Sequence, residues 1–223
     1  MNLTGNVMNK YSKLSKDTHL IWDWNGTLQN DAWLCVDIMN KLLQKRNKTT
    51  ITLQQYREIF GFPVRDYYKK VGFDFALELF EELAVEYISE YDRRSWECSL
   101  QTSAVDVLNW CAGKNIAQYI LSASQQKPLE INIAHYGLDR YFQRVVGLSD
   151  FYAKSKIKNG KQLVAEIGAD NIVLIGDTTH DYEVAQAIGV DCILYSAGHQ
   201  SKRRLNECGV VVIEKLSDIL SVV

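Results

Sequence analysis

Two apolar runs that each lead into an aspartate constrain the fold of this chain more than any other sequence feature. The first, His19–Trp22, leads into Asp23, and the second, Ile172–Ile175, leads through one glycine into Asp177. Taken alone, the first run is more typical of a strand and a tight turn, because Asn-Gly is a common turn pair. A carboxylate that ends a buried parallel strand, however, lies in the crevice where open α/β sheets bind ligands. If the two strands are neighbours in one sheet, these aspartates and Asp181 converge on one point.

From residue 103 onward, the pattern alternates between strands and helices. The predicted strands are 116–121, 144–146, 172–175 and 191–195, and the predicted helices are 103–111, 129–136, 160–167 and 182–188. Such alternation indicates an α/β protein with a doubly wound, parallel, Rossmann-like sheet.

The segment between the first strand and residue 99 is helical and poor in strands. Apolar periodicity predicts helices over 31–46 and 75–91, and Thr52 with Gln55 forms a capping-box pattern that opens a third helix through residue 60. The segment Gly61–Arg65 is predicted to be a loop. We therefore predict an α/β core domain of residues 1–30 and 99–223, with a small helical cap domain, residues 31–98, inserted into it.

Charge and composition limit the partners of the chain. With 25 basic and 27 acidic side chains the formal net charge is -2, so no general affinity for nucleic acid or for an anionic membrane is expected. The five cysteines are odd in number and widely spaced, which favours free thiols in a reducing compartment. Residues 1–17 lack an apolar signal core, and no run approaches the ~18 apolar residues that would span a bilayer. We expect a cytoplasmic protein whose partner is a small molecule.

Four short motifs, in order along the chain, resemble those of the haloacid dehalogenase-like (HAD) superfamily. The DxDGT motif of the family is matched by Asp23-Trp24-Asn25-Gly26-Thr27, and its strand-ending Ser or Thr by Ser122. Its lysine is best matched by Lys156, and its GDxxxD motif by Gly176, Asp177 and Asp181. The resemblance is to the phosphoglycolate phosphatase and β-phosphoglucomutase branch, which carries a helical cap after the first strand.

The resemblance implies a role for each matched residue. Asp23 would be the nucleophile and form an aspartyl-phosphate. Three carboxylates in one cleft would repel one another without a cation, and hard oxygen ligands suit Mg²⁺. The metal ligands would be Asp23, Asp177, Asp181 and the main-chain carbonyl of Asn25. The phosphate would be bound by Gly26, Thr27, Ser122, Ala123 and Lys156.

Each of these residues also has a simpler interpretation. Ser122 alone is typical of a polar strand end, Asp181 is suited to capping a helix that begins at Tyr182, and an isolated lysine is usually exposed. Lys154 or Lys158 could take the place of Lys156. The joint arrangement favours a phosphate site.

Asn25 is where the sequence departs from the family pattern. The aspartate usually found there protonates the leaving oxygen and later activates water, which contributes roughly 10²–10⁴-fold to the rate. An amide cannot do this. His180 is the nearest histidine to the motifs, although a histidine beside a carboxylate is more often structural.

Three functions remain open. The first is a Mg²⁺-dependent phosphohydrolase acting on a small phosphorylated metabolite, with Arg65 of the cap either binding a second anionic group or solvated. The second is C–P bond cleavage of the phosphonoacetaldehyde hydrolase type, which needs a cap lysine such as Lys41, Lys45, Lys69 or Lys70. The third is a phosphate-ligand binding protein with little turnover. The sequence leaves the oligomeric state open.

Overall fold

The computed structural model describes residues 16–148 and 154–220, and the side chains of Lys154 and Ser155 lie outside that description. The predicted polar segment 1–17 therefore falls almost entirely outside the described residues. The strands are β1 His19–Trp22, β2 Gln29–Asn30, β3 Ser99–Leu100, β4 Ala117–Gln125, β5 Arg144–Leu148, β6 Ile172–Gly176, β7 Asp191–Tyr195 and β8 Val211–Ile213. The helices are α1 Ala32–Lys45, α2 Leu53–Ile59, α3 Val64–Lys70, α4 Phe80–Arg94, α5 Ala104–Gly113, α6 Gln126–His135, α7 Lys154–Ile167, α8 Thr179–Ile188 and α9 Lys202–Asn206.

Six of the strands form one parallel sheet in the order β5-β4-β1-β6-β7-β8. The first strand is central, with Trp22 beside Ile120 of β4 on one side and beside Ile175 of β6 on the other. The sheet has helices packed against it, so the predicted α/β fold class is confirmed. Because β1 and β6 are neighbours and run in the same direction, Asp23 and Asp177 leave the sheet at the same edge.

Side chains of β1 alternate between two apolar clusters, one on each face of the sheet. Leu20 and Trp22 pack with Ile120 and the helix α5, whereas Ile21 packs with Leu121 and the apolar side of α8. All three β1 residues are fully buried. A strand covered on both faces is expected to be apolar throughout, which explains why a polar side chain appears only where the strand ends.

The inserted helical segment, residues 31–98, leaves and rejoins the sheet domain at one place. The two linking strands, β2 and β3, pair with each other in antiparallel fashion, and Gln29 lies beside Leu100. The helices of the segment have their own apolar cluster around Met39, Tyr56 and Leu83. The segment is thus joined to the sheet through a short two-stranded ribbon.

Two of the predicted element bounds in the inserted segment are wrong. The helix predicted from residue 75 begins at Phe80, because the Asp74 carboxylate accepts a hydrogen bond from the backbone of Ala76 and holds the chain in a turn. The predicted loop Gly61–Arg65 is shorter, since α3 already begins at Val64, directly after Pro63. Proline is well tolerated at the start of a helix because its φ is fixed near the helical value.

Three helices that pack on the sheet begin earlier than predicted, and the first of them, α6, starts at Gln126 rather than at residue 129. Helix α7 starts at Lys154 rather than at Gly160, a residue that packs in the helix interior where an added Cβ would lie only 3.0 Å from Leu121. Helix α8 starts at Thr179 rather than at Tyr182. The earlier starts of α7 and α8 bring two of the predicted site residues into first turns: Lys156 in α7 and Asp181 in α8.

No helix in the described part of the chain combines the length and the apolar character needed to cross a bilayer. All five cysteines are free, and four of them are buried.

Candidate active site

Three buried carboxylates meet at the edge of the sheet where β1 and β6 end. Asp23 continues the ladder of β1, with its backbone N–H donating to the carbonyl of Ile175 at 2.8 Å. Asp177 directly follows β6, and Asp181 lies one helical turn further on. One carboxylate oxygen of each aspartate lies within 4.8 Å of the others, and all three residues are buried.

Lys156 joins two of these carboxylates. Its Nζ donates to Asp23 Oδ1 and to Asp181 Oδ1, each at 2.7 Å, and the lysine is only 2% exposed. The side chain reaches the site because Lys156 lies in the first turn of α7. Of the alternatives in the sequence, Lys158 is exposed, and the side chain of Lys154 lies outside the described residues.

Burial raises the pKa of each of the three carboxyl groups, but their charged and hydrogen-bonded partners oppose it to different extents. It raises the pKa of Asp23 to about 6, although Lys156 opposes this, and it raises the pKa of Asp177 to about 8. Burial also acts on Asp181, but the hydrogen bonds from Lys156 and Thr178 outweigh it and lower the pKa of that carboxyl. One lysine therefore does not neutralise the cluster, which favours either proton uptake or a bound cation.

The two carboxylate oxygens of Asp181 have different hydrogen-bond partners. Its Oδ2 accepts hydrogen bonds from the backbone and hydroxyl of Thr178, the N-cap of α8, at 3.0 and 2.7 Å, and the Thr178 hydroxyl in turn accepts from the Asp181 backbone. This is a capping box, in which both polar groups satisfy the free N–H groups of the helix start. The other oxygen, Oδ1, remains for Lys156. The cap is therefore Thr178, and Asp181 supports it from the third helical position.

Glycines let the main chain approach these carboxylates closely. A Cβ at Gly26, whose φ is +74°, would lie 2.2 Å from Asp177 Oδ2, and one at Gly198 would lie 2.1 Å from the same atom. Gly176 makes similar room for Asp181. The site is thus a tight cradle in which larger residues would displace the carboxylates.

The donor set fits a hard divalent cation. Carboxylate oxygens from three residues lie together, their combined charge exceeds that of Lys156, and Thr27 Oγ1 lies 3.5 Å from Asp23 Oδ2 and 3.3 Å from Asp177 Oδ1. Mg²⁺ prefers such oxygen ligands. Asp23 Oδ2 and Asp177 Oδ1 are the oxygens that Lys156 leaves available to it.

The residues predicted to bind phosphate lie around the same edge of the sheet, and they differ in the hydrogen bonds that they already make within the protein. Ser122 is buried in β4 at an irregularity of the strand, and its hydroxyl accepts a hydrogen bond from the backbone of Ser124 at 3.1 Å. Ala123, between them, is half-buried. The Gly26 N–H, expected to face the phosphate, instead donates to Asp31 Oδ1 at 2.8 Å.

Asn25 is held by its neighbours through its whole amide group. Its Nδ2 lies 2.9 Å from Asp31 Oδ2 and 2.6 Å from the Tyr91 hydroxyl, and its Oδ1 accepts from Ser124 Oγ at 2.6 Å. Tyr91 belongs to α4, so this network ties the loop after β1 to the inserted helical segment. The amide nitrogen is a donor to Asp31, a role that a carboxylate could not fill.

Asp31 and His199 complete the site, and neither was singled out from the sequence. Asp31 is fully buried and accepts from Tyr91, while His199 Nε2 lies 3.2 Å from Asp31 Oδ1. His199 also has its Nδ1 2.8 Å from the Tyr56 hydroxyl, and its backbone N–H donates to Asp177 Oδ2 at 2.5 Å. Burial lowers the pKa of His199, but Asp31 and Asp177 outweigh it and raise the pKa to about 9.

The signal that could have identified His199 is its place in the topology. It follows β7, the neighbour of β6, and the ends of parallel strands meet at one edge. Asp31 was interpreted only as the start of a helix.

The remaining candidates lie on the inserted segment. Arg65 is half exposed, with its guanidinium 4.8 Å from the ring centre of Phe75 and 3.8 Å from Glu81. The structure thus groups Arg65 with residues of its own segment. The lysines considered for a Schiff base are exposed, and three of them form surface ion pairs, Lys41 with Glu90, Lys45 with Glu86 and Lys69 with Asp66. His180 packs against Phe62 with ring centres 4.5 Å apart.

Comparison with known proteins agrees with this arrangement. A phosphoglycolate phosphatase of Rhodobacter capsulatus is 26% identical over 189 residues, which cover 81% of this chain and 85% of that protein. The tyrosine-protein kinase PtkA of Mycobacterium tuberculosis is 22% identical over 204 residues, 90% of this chain and 69% of that protein. A haloacid dehalogenase-like family hydrolase from Streptococcus pneumoniae shares the fold with a TM-score of 0.78 at 16% identity, covering 92% of this chain and 98% of that structure.

The sequence model described as haloacid dehalogenase-like hydrolase matches residues 20–195, which span β1 to the end of β7 and include all three carboxylates and Lys156. The chain therefore belongs to the haloacid dehalogenase-like hydrolase family.

Proposed function

We propose that this hydrolase is a magnesium-dependent phosphohydrolase that acts on a small phosphorylated metabolite through an aspartyl-phosphate at Asp23. The observation that carries the proposal is the buried cluster of Asp23, Asp177 and Asp181, bridged by Lys156 at 2.7 Å on two sides. Phosphoryl transfer depends mainly on positioning and on neutralising the charge of the phosphate, and this cluster offers both. The likeness to a phosphoglycolate phosphatase supports the substrate class.

Each residue has a defined task in this proposal. The Asp23 carboxylate attacks the phosphorus, while the Lys156 ammonium holds that carboxylate in place and offers charge to the phosphate oxygens. Asp23, Asp177, Asp181 and the Asn25 main-chain carbonyl would hold Mg²⁺, which supplies positive charge to the transferring group when bound. Ser122, Ala123, Gly26 and Thr27 would hydrogen-bond the phosphate. For the Gly26 N–H to bind the phosphate, it must first break its hydrogen bond to Asp31 Oδ1.

The proposal includes the division into two domains. The sheet domain carries the nucleophile and the metal ligands, whereas the inserted helical segment acts as a cap that excludes water and contacts the rest of the substrate. Its support is the β2–β3 ribbon, the only described connection of the segment to the sheet along the chain, and the Tyr91–Asn25 contact. Arg65 would be a substrate contact only after a movement of the cap. We place the enzyme in the cytoplasm, as the five free cysteines favour.

The proposal is tested by measuring phosphate release from a panel of phosphorylated metabolites with Mg²⁺ or with EDTA. The parent should release phosphate only with Mg²⁺, and Asp23→Asn should reduce release to background while leaving the melting temperature within a few degrees. Asp170→Asn, the same change at an exposed site, serves as the matched control and should retain parent activity. Equal release by Asp23→Asn and parent would overturn the assignment of the nucleophile.

Two other outcomes would favour the alternative functions. Borohydride trapping of the chain with phosphonoacetaldehyde would favour C–P bond cleavage through a lysine. Saturable binding of a phosphorylated ligand without release of phosphate would favour a binding protein.

A further inference from the structure

We propose that the preferred substrates are phosphates with an acidic leaving group, namely acyl phosphates first and aryl phosphates next, rather than alkyl phosphate monoesters. The inference rests on the proposed phosphohydrolase function and names the substrate class of that site. It follows from the way in which the structure uses Asn25 and its neighbours.

Both polar atoms of the Asn25 amide already have partners within the protein. A primary amide offers two N–H donors and one carbonyl acceptor. The nitrogen lies in hydrogen-bond distance of Asp31 and Tyr91, and the carbonyl accepts from Ser124. The side chain is therefore a structural link between the loop after β1, the carboxyl end of strand β4 and helix α4.

The carboxylate nearest to Asn25 is also unsuited to donating a proton. Asp31 accepts hydrogen bonds from the Gly26 backbone, Asn25 and Tyr91, and its Oδ1 lies 3.2 Å from His199. A carboxylate surrounded by four donors is held in its ionised, acceptor-only form. Tyr91 already directs its hydroxyl proton to that carboxylate.

The resemblance to the haloacid dehalogenase-like family implies that position 25 faces the leaving group. Asp23 lies at the end of β1 with the sheet domain beneath it, and Tyr91 of the inserted segment covers the loop that follows. In the proposed mechanism, the part of the substrate beyond the phosphoryl group lies at that loop, on the side that the inserted segment covers, and it enters when the contact between Tyr91 and Asn25 opens. Among the described residues, those hydrogen-bonded to the Asn25 side chain are Asp31, Tyr91, Ser124 and Gln29.

The chemistry of the first step then selects the substrate. A bond forms between an Asp23 oxygen and phosphorus, the bond from phosphorus to the leaving oxygen breaks, and its electron pair stays on that oxygen. A carboxylate leaves as a stable anion, because its conjugate acid has a pKa of about 4. A phenolate, whose conjugate acid has a pKa of about 10, is a leaving group of intermediate quality. An alkoxide is as basic as hydroxide, with a pKa of about 16 for its conjugate acid, and it needs a proton that neither Asn25 nor Asp31 supplies.

The second step regenerates the carboxylate. Water attacks the phosphorus, the bond from phosphorus to the Asp23 oxygen breaks with its electron pair on that oxygen, and orthophosphate leaves. The proton of the attacking water passes to solvent or to the phosphate. Because no carboxylate base stands at position 25, this step is slow, and the aspartyl-phosphate should accumulate as a burst in the first turnover.

The test is the dependence of kcat/KM on the leaving group, measured with acetyl, 4-nitrophenyl, phenyl and ethyl phosphate at saturating Mg²⁺. We expect ethyl phosphate to be turned over at least about 10²-fold more slowly than acetyl phosphate after correction for their uncatalysed rates. Turnover of ethyl phosphate within tenfold of acetyl phosphate would overturn the inference while leaving the phosphatase function intact. If none of the four compounds is hydrolysed, the proposed function itself is overturned.

Two variants identify the origin of the dependence. The double variant Asn25→Asp/Asp31→Asn exchanges the amide and the carboxylate, so the net charge and the pairing of the two side chains are kept. Because it places a carboxyl group at position 25, it should lower the ratio of kcat/KM for acetyl phosphate to that for ethyl phosphate about tenfold or more. Tyr91→Phe removes a contact of Asn25 without changing residue 25, and it should leave the ratio unchanged. A rise of the ratio in Tyr91→Phe would identify the phenol as a proton donor and contradict the inference. If the exchange variant does not fold, the leaving-group series on the parent decides alone.

Discussion

Lys156 is the residue on which the balance of charge at the site depends. It is buried between Asp23 and Asp181, and the two carboxylates have no other cation in hydrogen-bond contact among the described residues. Removing one member of a buried ion pair leaves an uncompensated charge, which typically costs about 3–5 kcal/mol. The lysine should therefore matter for stability and, in the proposed mechanism, for binding the phosphate.

We expect Lys156→Met to lower the free energy of unfolding by about 3–5 kcal/mol at pH 8 without Mg²⁺ and to abolish phosphate release. Lys158→Met, two residues away and exposed, is the matched control and should change neither quantity. Urea unfolding of the three proteins measures the effect. Parent-like stability and activity in Lys156→Met, together with losses in Lys158→Met, would show that the role belongs to Lys158 and contradict the assignment to Lys156.

At this scale the sequence predicted the convergence of the carboxylates but not their surroundings. Asp23 and Asp177 each follow an apolar run, so their meeting follows from the pairing of two strands. The ring of bonds around Asn25 joins residues 25, 31, 91 and 124 through the packing of α4 on the sheet domain. Nothing local in the sequence encodes such a contact.

At the scale of elements, two helices of this chain begin with the same capping box in different places. Thr178 and Asp181 open α8 at the site, whereas Thr52 and Gln55 open α2 in the inserted segment. Replacing an N-cap threonine by alanine typically costs about 1 kcal/mol. The two positions therefore separate the effect of a cap on stability from its effect on the site.

Thr178→Ala and Thr52→Ala should lower the free energy of unfolding by a similar amount, about 1 kcal/mol each. Only Thr178→Ala should reduce phosphate release and weaken the Mg²⁺ dependence, because it also removes the hydroxyl that donates to Asp181 Oδ2 at 2.7 Å and helps to orient that carboxylate. Thermal unfolding and Mg²⁺ titration of activity provide the two readouts. Equal activity losses in both variants would mean that the cap of α8 does not position the site.

The limits of the helices show where sequence patterns are insufficient. The capping box of α2 is local and was predicted from Thr52 and Gln55. The start of α7 was missed because Gly160 is a poor helix former, yet its missing side chain is what lets the helix pack against Leu121 and Ile188. Tertiary packing overrides propensity at that position.

At the scale of the whole molecule, the free energy of unfolding should depend on pH and on the proposed binding of Mg²⁺, because both act on the buried carboxylates of the site. The pKa values of Asp23, Asp177 and His199 are raised to about 6, 8 and 9 in the folded chain. Each group stabilises the fold most below its unfolded pKa and loses that contribution as the pH rises through the folded value. The groups with lowered pKa, Asp31 and Asp181, act at lower pH and do not change in this window.

The melting temperature without metal should therefore fall as the pH rises from 6 to 9. In the proposed site Mg²⁺ would bind the deprotonated carboxylates of the folded state, so its stabilising shift should be larger at pH 8.5 than at pH 6. Asp177→Asn should remove most of the shift at both pH values. Thermal unfolding across this range measures both effects, and a shift that is equal at pH 6 and 8.5 would contradict the account.

The most direct test of the central claim is to find the phosphoryl group on the protein. Parent chain mixed with acetyl phosphate and Mg²⁺, then quenched in acid, should carry one phosphoryl group on the peptide that contains Asp23. Asp23→Asn should carry none under the same conditions. Release of phosphate by the parent without a labelled Asp23 peptide, or with the label on another residue, would contradict the proposed mechanism.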